Sequence, residues 1–253
     1  MKIIAVTQAR TGSSRLPAKI IKKIKGKTLL QIHLERILKS KVINKIIVAT
    51  TKNKNDNRIT DIAKMCGVKY FRGNENDVLD RFYKATKDYQ ADYIVRLTSD
   101  CPLIDPKLID SVINVAIHNN YDYYANTFEE LYPDGQDIEV FKFQALKSAW
   151  NLAKLDSERE HVTPFIRKNS SFKGGKLFTS ANYYNNSNYG HVRMTVDDLN
   201  DFVVIEHLIN NLGFDGTWLE YADFYLKNEF INKLNIKTIR NEGYIKSLKF
   251  DKK

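Results

Sequence analysis

Apolar and polar positions in the first half of the chain follow two alternating patterns. Short runs of consecutive apolar residues are typical of strands buried on both faces of a sheet, and apolar residues recurring every three or four positions are typical of helices. The runs predict strands in KIIAVTQ, KIIVATT, VKYFRG and DYIVRLTSD. The helical pattern lies in TLLQIHLERILKS, NRITDIAKMCG, DVLDRFYKATKDY and PKLIDSVINVAIHNN. This βαβαβαβ order predicts an α/β fold with a mostly parallel sheet covered on both faces.

Local signals mark the ends of these predicted helices. Gly67 follows the second helix and suits the C′ position, where glycine adopts a left-handed backbone at no steric cost. Asp77 precedes the third helix as an N-cap. Asp105 precedes Pro106, and proline favours the first turn, so Asp105 is predicted to cap the fourth helix.

The second half of the chain is less regular. We expect strands in YDYYANT, DIEVFKF and HVRMTVDD, and helices in QALKSAWNLAKL, SEREHVTPFIRKN and LNDFVVIEHLINNL. Ser157 and Glu160 have the spacing of a capping box. NSSFKGGK and TSANYYNNSNYG are rich in turn formers and predict loops. Without a repeat or a long linker, residues 1–253 are expected to form one domain, with a less regular subregion around residues 121–195.

Composition narrows the function classes. The net charge of +10 fits either a lysine-rich solvated surface, which we prefer, or a basic cleft for a polyanionic small molecule. No apolar run approaches the ~18 residues of a membrane span, which favours a cytoplasmic protein that does not contact membranes. The two cysteines, Cys66 and Cys101, are far apart, which argues against a zinc site or a disulfide framework. Cys101 is expected to be a packing residue rather than a nucleophile.

The first candidate site is the loop after the first predicted strand, in TQARTGSSRLPAK. Arg10, Arg15 and Lys19 place three fixed cations there, about the number that a triphosphate needs. Residues that allow close backbone approach lie between these cations: Gly12, Ser13 and Ser14. The P-loop and dinucleotide fingerprints are both missing. On spacing alone, a solvated basic loop is the better interpretation.

The second candidate site is LTSDCPLIDP, at the end of the fourth predicted strand. Asp100 lies at the same sheet edge as the opening loop, because parallel strands end together. A carboxylate that faces a polyphosphate is the usual protein ligand of Mg²⁺, which takes one or two carboxylates plus phosphate oxygens. VRMTVDD offers a second carboxylate in Asp197, and the adjacent Asp198 suits a helix cap.

These blocks together resemble the cytidylyltransferase family that includes 3-deoxy-manno-octulosonate and acylneuraminate cytidylyltransferases. The resembling blocks, in order, are QARTGSSRLPAK, KIIVATT, YFRGNENDVLDRFYKA, DYIVRLTSDCPLIDP, YDYYANT, YPDGQDIEVF, SEREHVTPFIR and VRMTVDD. The resemblance extends from residue 1 to about residue 210. Within the family, the chain is similar to the branch of spore coat polysaccharide biosynthesis protein F. One departure is Ser99, where the family commonly has glycine.

The resemblance implies a nucleotide-diphosphosugar transferase fold, a Rossmann-like αβα sandwich that binds CTP at the opening loop. Arg10, Arg15 and Lys19 would then hold the triphosphate and, with Asp100, carry catalysis. The full implied nucleotide-binding set is Gln8, Ala9, Arg10, Gly12, Ser13, Arg15, Lys19, Thr98 and Asp100. The implied cofactor is Mg²⁺, with Asp100 and Asp197 as its ligands.

The subregion around residues 121–195 is expected to bind the acceptor. Polar residues in YPDGQDIEVF are suited to sugar hydroxyls, namely Asp134, Gln136, Asp137 and Glu139. Arg159 and His161 could contact a carboxylated sugar. Two alternatives stay open here. Glu139 could be a strand residue facing solvent, and His161 could be a hydrogen-bonded structural histidine.

The implied reaction transfers CMP from CTP to a sugar or sugar acid for surface polysaccharide or glycan synthesis, and releases pyrophosphate. Three alternatives remain. One is a nucleotidyltransferase with another base or a sugar phosphate acceptor. The second is a glycosyltransferase of the same fold, although its Asp-x-Asp motif is missing. The third is a nucleic-acid binder, which the tyrosine clusters do not favour because basic residues are not interleaved with them. A homodimer is compatible with the family, but no interface is evident in the sequence.

Overall fold

The computed structural model describes residues 1–13 and 15–251, so the predicted role of Ser14 lies outside the described residues. The strands are β1 Ile3–Gln8, β2 Lys23–Ile24, β3 Lys27–Thr28, β4 Lys45–Thr51, β5 Lys69–Gly73, β6 Tyr93–Thr98, β7 Tyr123–Ala125, β8 Glu139–Lys142 and β9 Ser180–Asn182. The helices are α1 Leu29–Ile37, α2 Asn57–Met65, α3 Val78–Thr86, α4 Pro106–His118, α5 Phe143–Leu152, α6 Asp156–His161, α7 Pro164–Lys168, α8 Leu199–Leu212, α9 Trp218–Lys227, α10 Glu229–Asn235 and α11 Glu242–Ser247.

Seven strands form the main sheet, in the order β5-β4-β1-β6-β8-β7-β9. The first four of these strands are mutually parallel, β8 runs antiparallel to both of its neighbours, and β9 is parallel to β7. Strands β2 and β3 form a separate short hairpin. The predicted α/β fold with a mostly parallel sheet is therefore confirmed, and both halves of the chain contribute to one sheet.

The sheet is the middle of three layers, because side chains alternate along each strand. Ile3 and Ala5 of β1 face a cluster formed with α1, α2 and α4. Ile4 and Val6 face the opposite cluster, formed with α3, α5 and α7. A third cluster packs α8, α9 and α10 against residues 192–196 and the β2–β3 hairpin. Two helical layers thus cover both faces of the sheet, as the apolar runs predicted.

The predicted helix ends are largely confirmed. Asp77 accepts a hydrogen bond from the Asp80 backbone N–H at 2.9 Å. Asp105 caps α4 by accepting from the N–H groups of the first turn, and Gly67 has a left-handed φ of +69° just after α2. Asp198 caps α8, as its position next to Asp197 suggested.

The segment SEREHVTPFIRKN is two helices rather than one. Val162 has a φ of +72° between α6 and α7, and Pro164 opens the second helix. The predicted capping box of Ser157 and Glu160 is wrong. Glu158 instead accepts from the N–H of Leu155, one residue before α6 begins, at 3.3 Å.

Two further segments differ from the sequence prediction. TSANYY, predicted as a loop, contains β9, whose short polar side chains give no apolar alternation to detect. HVRMTVDD, predicted as a strand, makes only an isolated bridge between Arg193 and Asp134. Its apolar alternation is real, because Val192, Met194 and Val196 are buried. Its backbone, however, bonds to two separate loops: the Met194 and Val196 N–H groups donate to the carbonyls of Asp134 and Asp100 at 2.7 and 2.8 Å.

None of the helices in residues 1–13 and 15–251 is both long enough and apolar enough to cross a membrane.

Candidate functional site

The candidate site lies where the strand order reverses. From β1 the chain proceeds to β4 and β5 on one side, and then crosses to β6 on the other side of β1. Gln8 and Thr98, the last residues of β1 and β6, are direct neighbours in the sheet. A crevice beyond the carboxyl ends of two such strands is the usual ligand site of open α/β sheets. The opening loop and Asp100 both begin there.

Lys19 joins the two carboxylates that were predicted to hold a metal. Its ammonium lies 3.0 Å from Asp100 Oδ2 and 2.8 Å from Asp197 Oδ1. The two carboxylate oxygens therefore lie within 5.8 Å of each other, the sum of these distances. Asp100 and Asp197 lie 81 and 178 positions from Lys19 in the sequence, yet both contact its Nζ.

The electrostatics of this trio keep Asp100 and Lys19 charged. Burial alone would raise the pKa of Asp100, but the charge and hydrogen bond of Lys19 hold it at about 2. Burial alone would lower the pKa of Lys19, but Asp100 and Asp197 raise it above its usual value. At neutral pH the site therefore presents an ionised carboxylate and an ammonium in contact.

The two predicted arginines of the opening loop are partly exposed. Arg15 lies between two carboxylates, with Nη2 2.9 Å from Asp197 Oδ1 and Nη1 2.8 Å from Glu242 Oε2. Arg10 lies 3.4 Å from Glu75 at the other side of the loop. Arg15 and Lys19 thus share Asp197, whereas Arg10 is not part of that group.

The opening loop is anchored by Asp56, a residue that the sequence analysis missed. Thr11 donates from both its N–H and its Oγ1 to Asp56 Oδ1, at 2.8 and 2.7 Å. Asp56 is almost fully buried, so it fixes the loop firmly. Gly12 is exposed, and an added Cβ there would make only an ordinary contact with Glu75 at 3.5 Å. The residue of this loop with a left-handed φ is Ala18, at 55°.

The remaining predicted nucleotide-binding residues surround the crevice. Gln8 ends β1 with its Oε1 buried and without a hydrogen-bond partner among the described residues. Ala9 is buried and donates its N–H to the Ala49 carbonyl at 3.1 Å. Ser13 is half-buried and donates its N–H to the Thr11 carbonyl at 2.9 Å. Thr98 places its Oγ1 3.1 Å from the Cys101 Sγ.

Arg193 holds the second carboxylate in place. Its Nε and Nη2 form a fork on Asp201 at 2.8 Å each, and Nη2 also donates to Asp197 Oδ2 at 3.0 Å. Its Nη1 donates to Asp134. Asp197 therefore has one oxygen committed to Arg193 and the other facing Lys19. Neither Arg193 nor Asp201 was singled out from the sequence, because an arginine buried among acids has no local signature.

Two predicted acceptor residues are buried inside the protein. Gln136 is fully buried, accepts from the Asp105 N–H and donates to the Leu103 carbonyl, both at 2.9 Å. Glu139 on β8 is also buried, where it pairs with Arg96 and accepts from Tyr123 and Thr163. Both therefore stabilise the fold instead of facing a sugar, and the alternative that Glu139 faces solvent is also wrong.

Asp134 and Asp137 flank a turn whose glycine is required. Gly135 has a φ of +110°, and an added Cβ would approach the Met194 backbone to 2.7 Å. Asp137 is half-buried and paired with Arg240. Burial and the nearby Asp137 raise the pKa of Asp134 to about 7. Asp134 pairs with Arg193, which also pairs with Asp197, so this turn lies beside a candidate metal ligand.

Arg159 and His161 lie on α6. Arg159 Nε donates to Asp77 at 2.8 Å, so it links α6 to the N-terminus of α3. Burial, followed by the charge of Arg96, lowers the pKa of His161 to about 4, and its Nε2 has no hydrogen-bond partner among the described residues. The alternative of a fully hydrogen-bonded structural histidine is therefore not what the structure shows.

A second buried arginine, Arg81 on α3, was also missed. Only 2% of it is exposed, and its Nε and Nη1 have no hydrogen-bond partner in the part of the chain that the structure describes. Burial and the charge of Arg10 lower the pKa of Arg81 to about 10.

Cys101 is a packing residue, as expected. It is buried, and burial followed by the charge of Asp100 raises the pKa of its thiol well above the usual value. A nucleophilic cysteine needs the opposite shift.

The donor set suits a magnesium ion that is shared with a polyphosphate. Within residues 1–13 and 15–251, no group of three or more histidine, cysteine or acidic side chains could hold a metal alone. Two carboxylates from different loops, Asp100 and Asp197, converge at the crevice. Mg²⁺ commonly takes one or two carboxylates and completes its octahedron with water and substrate phosphate.

Comparisons with known proteins agree with this geometry. A family model described as Cytidylyltransferase matches residues 4–236. An uncharacterized protein of Methanocaldococcus jannaschii is 40% identical over 245 residues, covering 96% of this chain and 98% of that protein. The spore coat polysaccharide biosynthesis protein SpsF of Bacillus subtilis is 30% identical over 216 residues, covering 83% and 88%. The solved structure of a cytidylyltransferase from Leptospira borgpetersenii superposes with a TM-score of 0.87 at 34% identity, covering 95% of this chain and all of that one.

Proposed function

The chain belongs to the cytidylyltransferase family, and we propose that it transfers CMP from CTP to a sugar or sugar acid and releases pyrophosphate. The observation that carries this proposal is the contact of Lys19 with both Asp100 and Asp197, beside Arg15, at the reversal of strand order. Cations for a triphosphate and carboxylates for its metal are the groups that nucleotidyl transfer needs in one place.

In this reaction an acceptor oxygen attacks the α-phosphorus of CTP in line, and pyrophosphate leaves. Arg10, Arg15 and Lys19 would orient the triphosphate and neutralise the charge that develops on the leaving pyrophosphate. Asp100 and Asp197 would hold Mg²⁺, which supplies further charge neutralisation at the phosphate oxygens when bound. Asp56 would contribute indirectly, by holding Thr11 and with it the opening loop.

The proposal of a sugar-derived acceptor rests on the polar side chains near the site and on one relative. The named relative from Bacillus subtilis acts in spore coat polysaccharide biosynthesis, which supports a sugar-derived acceptor and a role in surface polysaccharide synthesis. Asp137 is half-buried near the candidate metal ligands, where it would accept hydrogen bonds from sugar hydroxyls. His161, with its unpaired Nε2, is the remaining candidate for a contact with the acceptor.

The direct test is pyrophosphate release with CTP, UTP, ATP and GTP against a panel of acceptors. The panel should contain eight- and nine-carbon keto sugar acids and sugar phosphates. We expect release with CTP and a sugar acid, and none after chelation of divalent cations. Release with a sugar phosphate alone would favour the other acceptor class. Consumption of a nucleotide sugar without pyrophosphate release would instead indicate a glycosyltransferase.

A further inference from the structure

Residues 237–251, the last that the structure describes, cross the mouth of the candidate site, and we refer to this segment as the C-terminal strap. It begins after the last residue, 236, that the family model matches. It contains α11 and contacts three separate parts of the site: the 130–137 loop, Arg15 and α6. These contacts are polar, and none of the residues of α11 is buried.

Arg240 anchors the near end of the strap. It pairs with Asp137 and donates to the Tyr132 carbonyl at 3.1 Å, and only 11% of its side chain is exposed. Asn241 adds a hydrogen bond to Glu130 at 2.8 Å. Because two consecutive residues are fixed to one loop, this end of the strap is expected to stay in place when the rest moves.

Glu242, the next residue, forms a salt bridge with Arg15. The Glu242 Oε2 lies 2.8 Å from Arg15 Nη1, while Asp197 Oδ1 holds Nη2 at 2.9 Å. Both ends of the guanidinium are therefore paired with carboxylates of the protein. A triphosphate that binds Arg15 must replace one of them, and Glu242 is the one without a predicted role in holding the metal.

The far end of the strap rests on α6. The rings of Tyr244 and His161 meet edge to face with centroids 5.1 Å apart. Asp251 accepts from the N–H and Oγ of Ser157 at 2.9 and 2.6 Å. The strap thus makes two contacts with the site: Tyr244 covers His161, the candidate acceptor contact, and Glu242 pairs with Arg15.

We propose that the C-terminal strap is a substrate-responsive cover, in which the Glu242 carboxylate stands in for a phosphate on Arg15 until CTP displaces it. The proposal rests on the proposed function, since it assumes that the triphosphate binds the opening loop. Releasing Glu242 frees Arg15 for a phosphate, and lifting Tyr244 uncovers His161 for the acceptor. Segments held by exposed polar contacts open at low free-energy cost, which is what this exchange needs.

The variant Glu242→Gln tests the proposal, because it keeps the shape of the side chain and removes its charge. The dissociation constant for CTP, measured by calorimetry with Mg²⁺, is expected to fall by about two- to fivefold, the size of effect that releasing an exposed ion pair allows. In the wild-type protein, saturating CTP should also make the backbone amides of α11 exchange faster with deuterated solvent.

Glu229→Gln is the matched control. Glu229 also opens a short helix and pairs with a lysine four residues later, at 2.7 Å, as Glu242 does with Lys246 at 2.6 Å, but it does not contact the site. It should leave the dissociation constant for CTP unchanged. Unchanged or weaker CTP binding in Glu242→Gln, or slower exchange of α11 with CTP, would overturn the strap proposal and leave the proposed function intact. If the wild-type protein does not bind CTP at all, the proposed function itself fails.

Discussion

Replacing Asp100 with asparagine is expected to slow CTP-dependent pyrophosphate release by about 10²- to 10³-fold, the loss typical when one preorganised charge is removed from a transition state. Asparagine has nearly the same shape, so the change is one of charge. The pKa of Asp100 is held at about 2, so the wild-type carboxylate is ionised throughout the usual assay range. The variant loses one of the two anionic ligands proposed for Mg²⁺ and leaves Lys19 paired with Asp197 alone.

The measurement is the initial rate of pyrophosphate release as Mg²⁺ and CTP are varied. If Asp100 binds the metal, the variant needs more Mg²⁺ for half-maximal rate as well as turning over more slowly. Asp198→Asn is the matched control, because Asp198 caps α8 and asparagine is a comparable N-cap. Wild-type turnover in Asp100→Asn would remove this residue from the site.

The first half of the fold could be predicted because its signals are local. Strands β1, β4, β5 and β6 and their helices follow from runs of apolar residues and from caps such as Asp77 and Asp105. The shared edge of parallel strands then places Arg15, Lys19 and Asp100 together without any knowledge of packing. The convergence of Lys19 with Asp100 and Asp197 agrees with that expectation.

The acceptor side could not be predicted in the same way. Strand β8 is inserted antiparallel between β6 and β7, which sets Glu139 opposite Arg96 in the register and buries Glu139. A polar residue in a short strand does not reveal whether it faces solvent or an ion pair. Gln136 was likewise assigned to a sugar because of its polar neighbours, although its amide bonds backbone groups more than thirty positions away.

Several contacts of the site were missed because they join residues that are distant in sequence. Arg193 pairs with Asp134 across 59 positions, and Arg15 pairs with Glu242 across 227. No spacing pattern reports such contacts. The C-terminal strap also carries mostly exposed residues, so its position over the site has no apolar pattern to predict it.

Replacing Arg193 with methionine is expected to lower the free energy of unfolding by about 3–5 kcal/mol, the usual result of removing one partner from a buried ionic group. Methionine fills much of the same space but removes the guanidinium that pairs with Asp134, Asp197 and Asp201. Asp197 keeps Lys19 and Arg15, whereas no other ion pair is recorded for Asp201 among the described residues. Asp201 is fully buried, so water cannot replace the lost guanidinium. The measurement is denaturant unfolding at pH 7, with the exposed Lys233→Met as a control that should change stability little.

The pH dependence separates this electrostatic cause from a simple loss of packing. In the wild-type protein burial would raise the pKa of Asp201, but Arg193 holds it below its usual value, so the stabilisation from Asp201 is present above its unfolded-state pKa and is lost as the pH falls below that value. Without Arg193, burial is no longer opposed by the guanidinium and raises the pKa of Asp201 above its unfolded-state value, so protonation of Asp201 then favours the folded state. The stability deficit of Arg193→Met should therefore shrink as the pH is lowered from 7 to 5. A deficit of the same size at both values would indicate that Arg193 stabilises the site by packing alone.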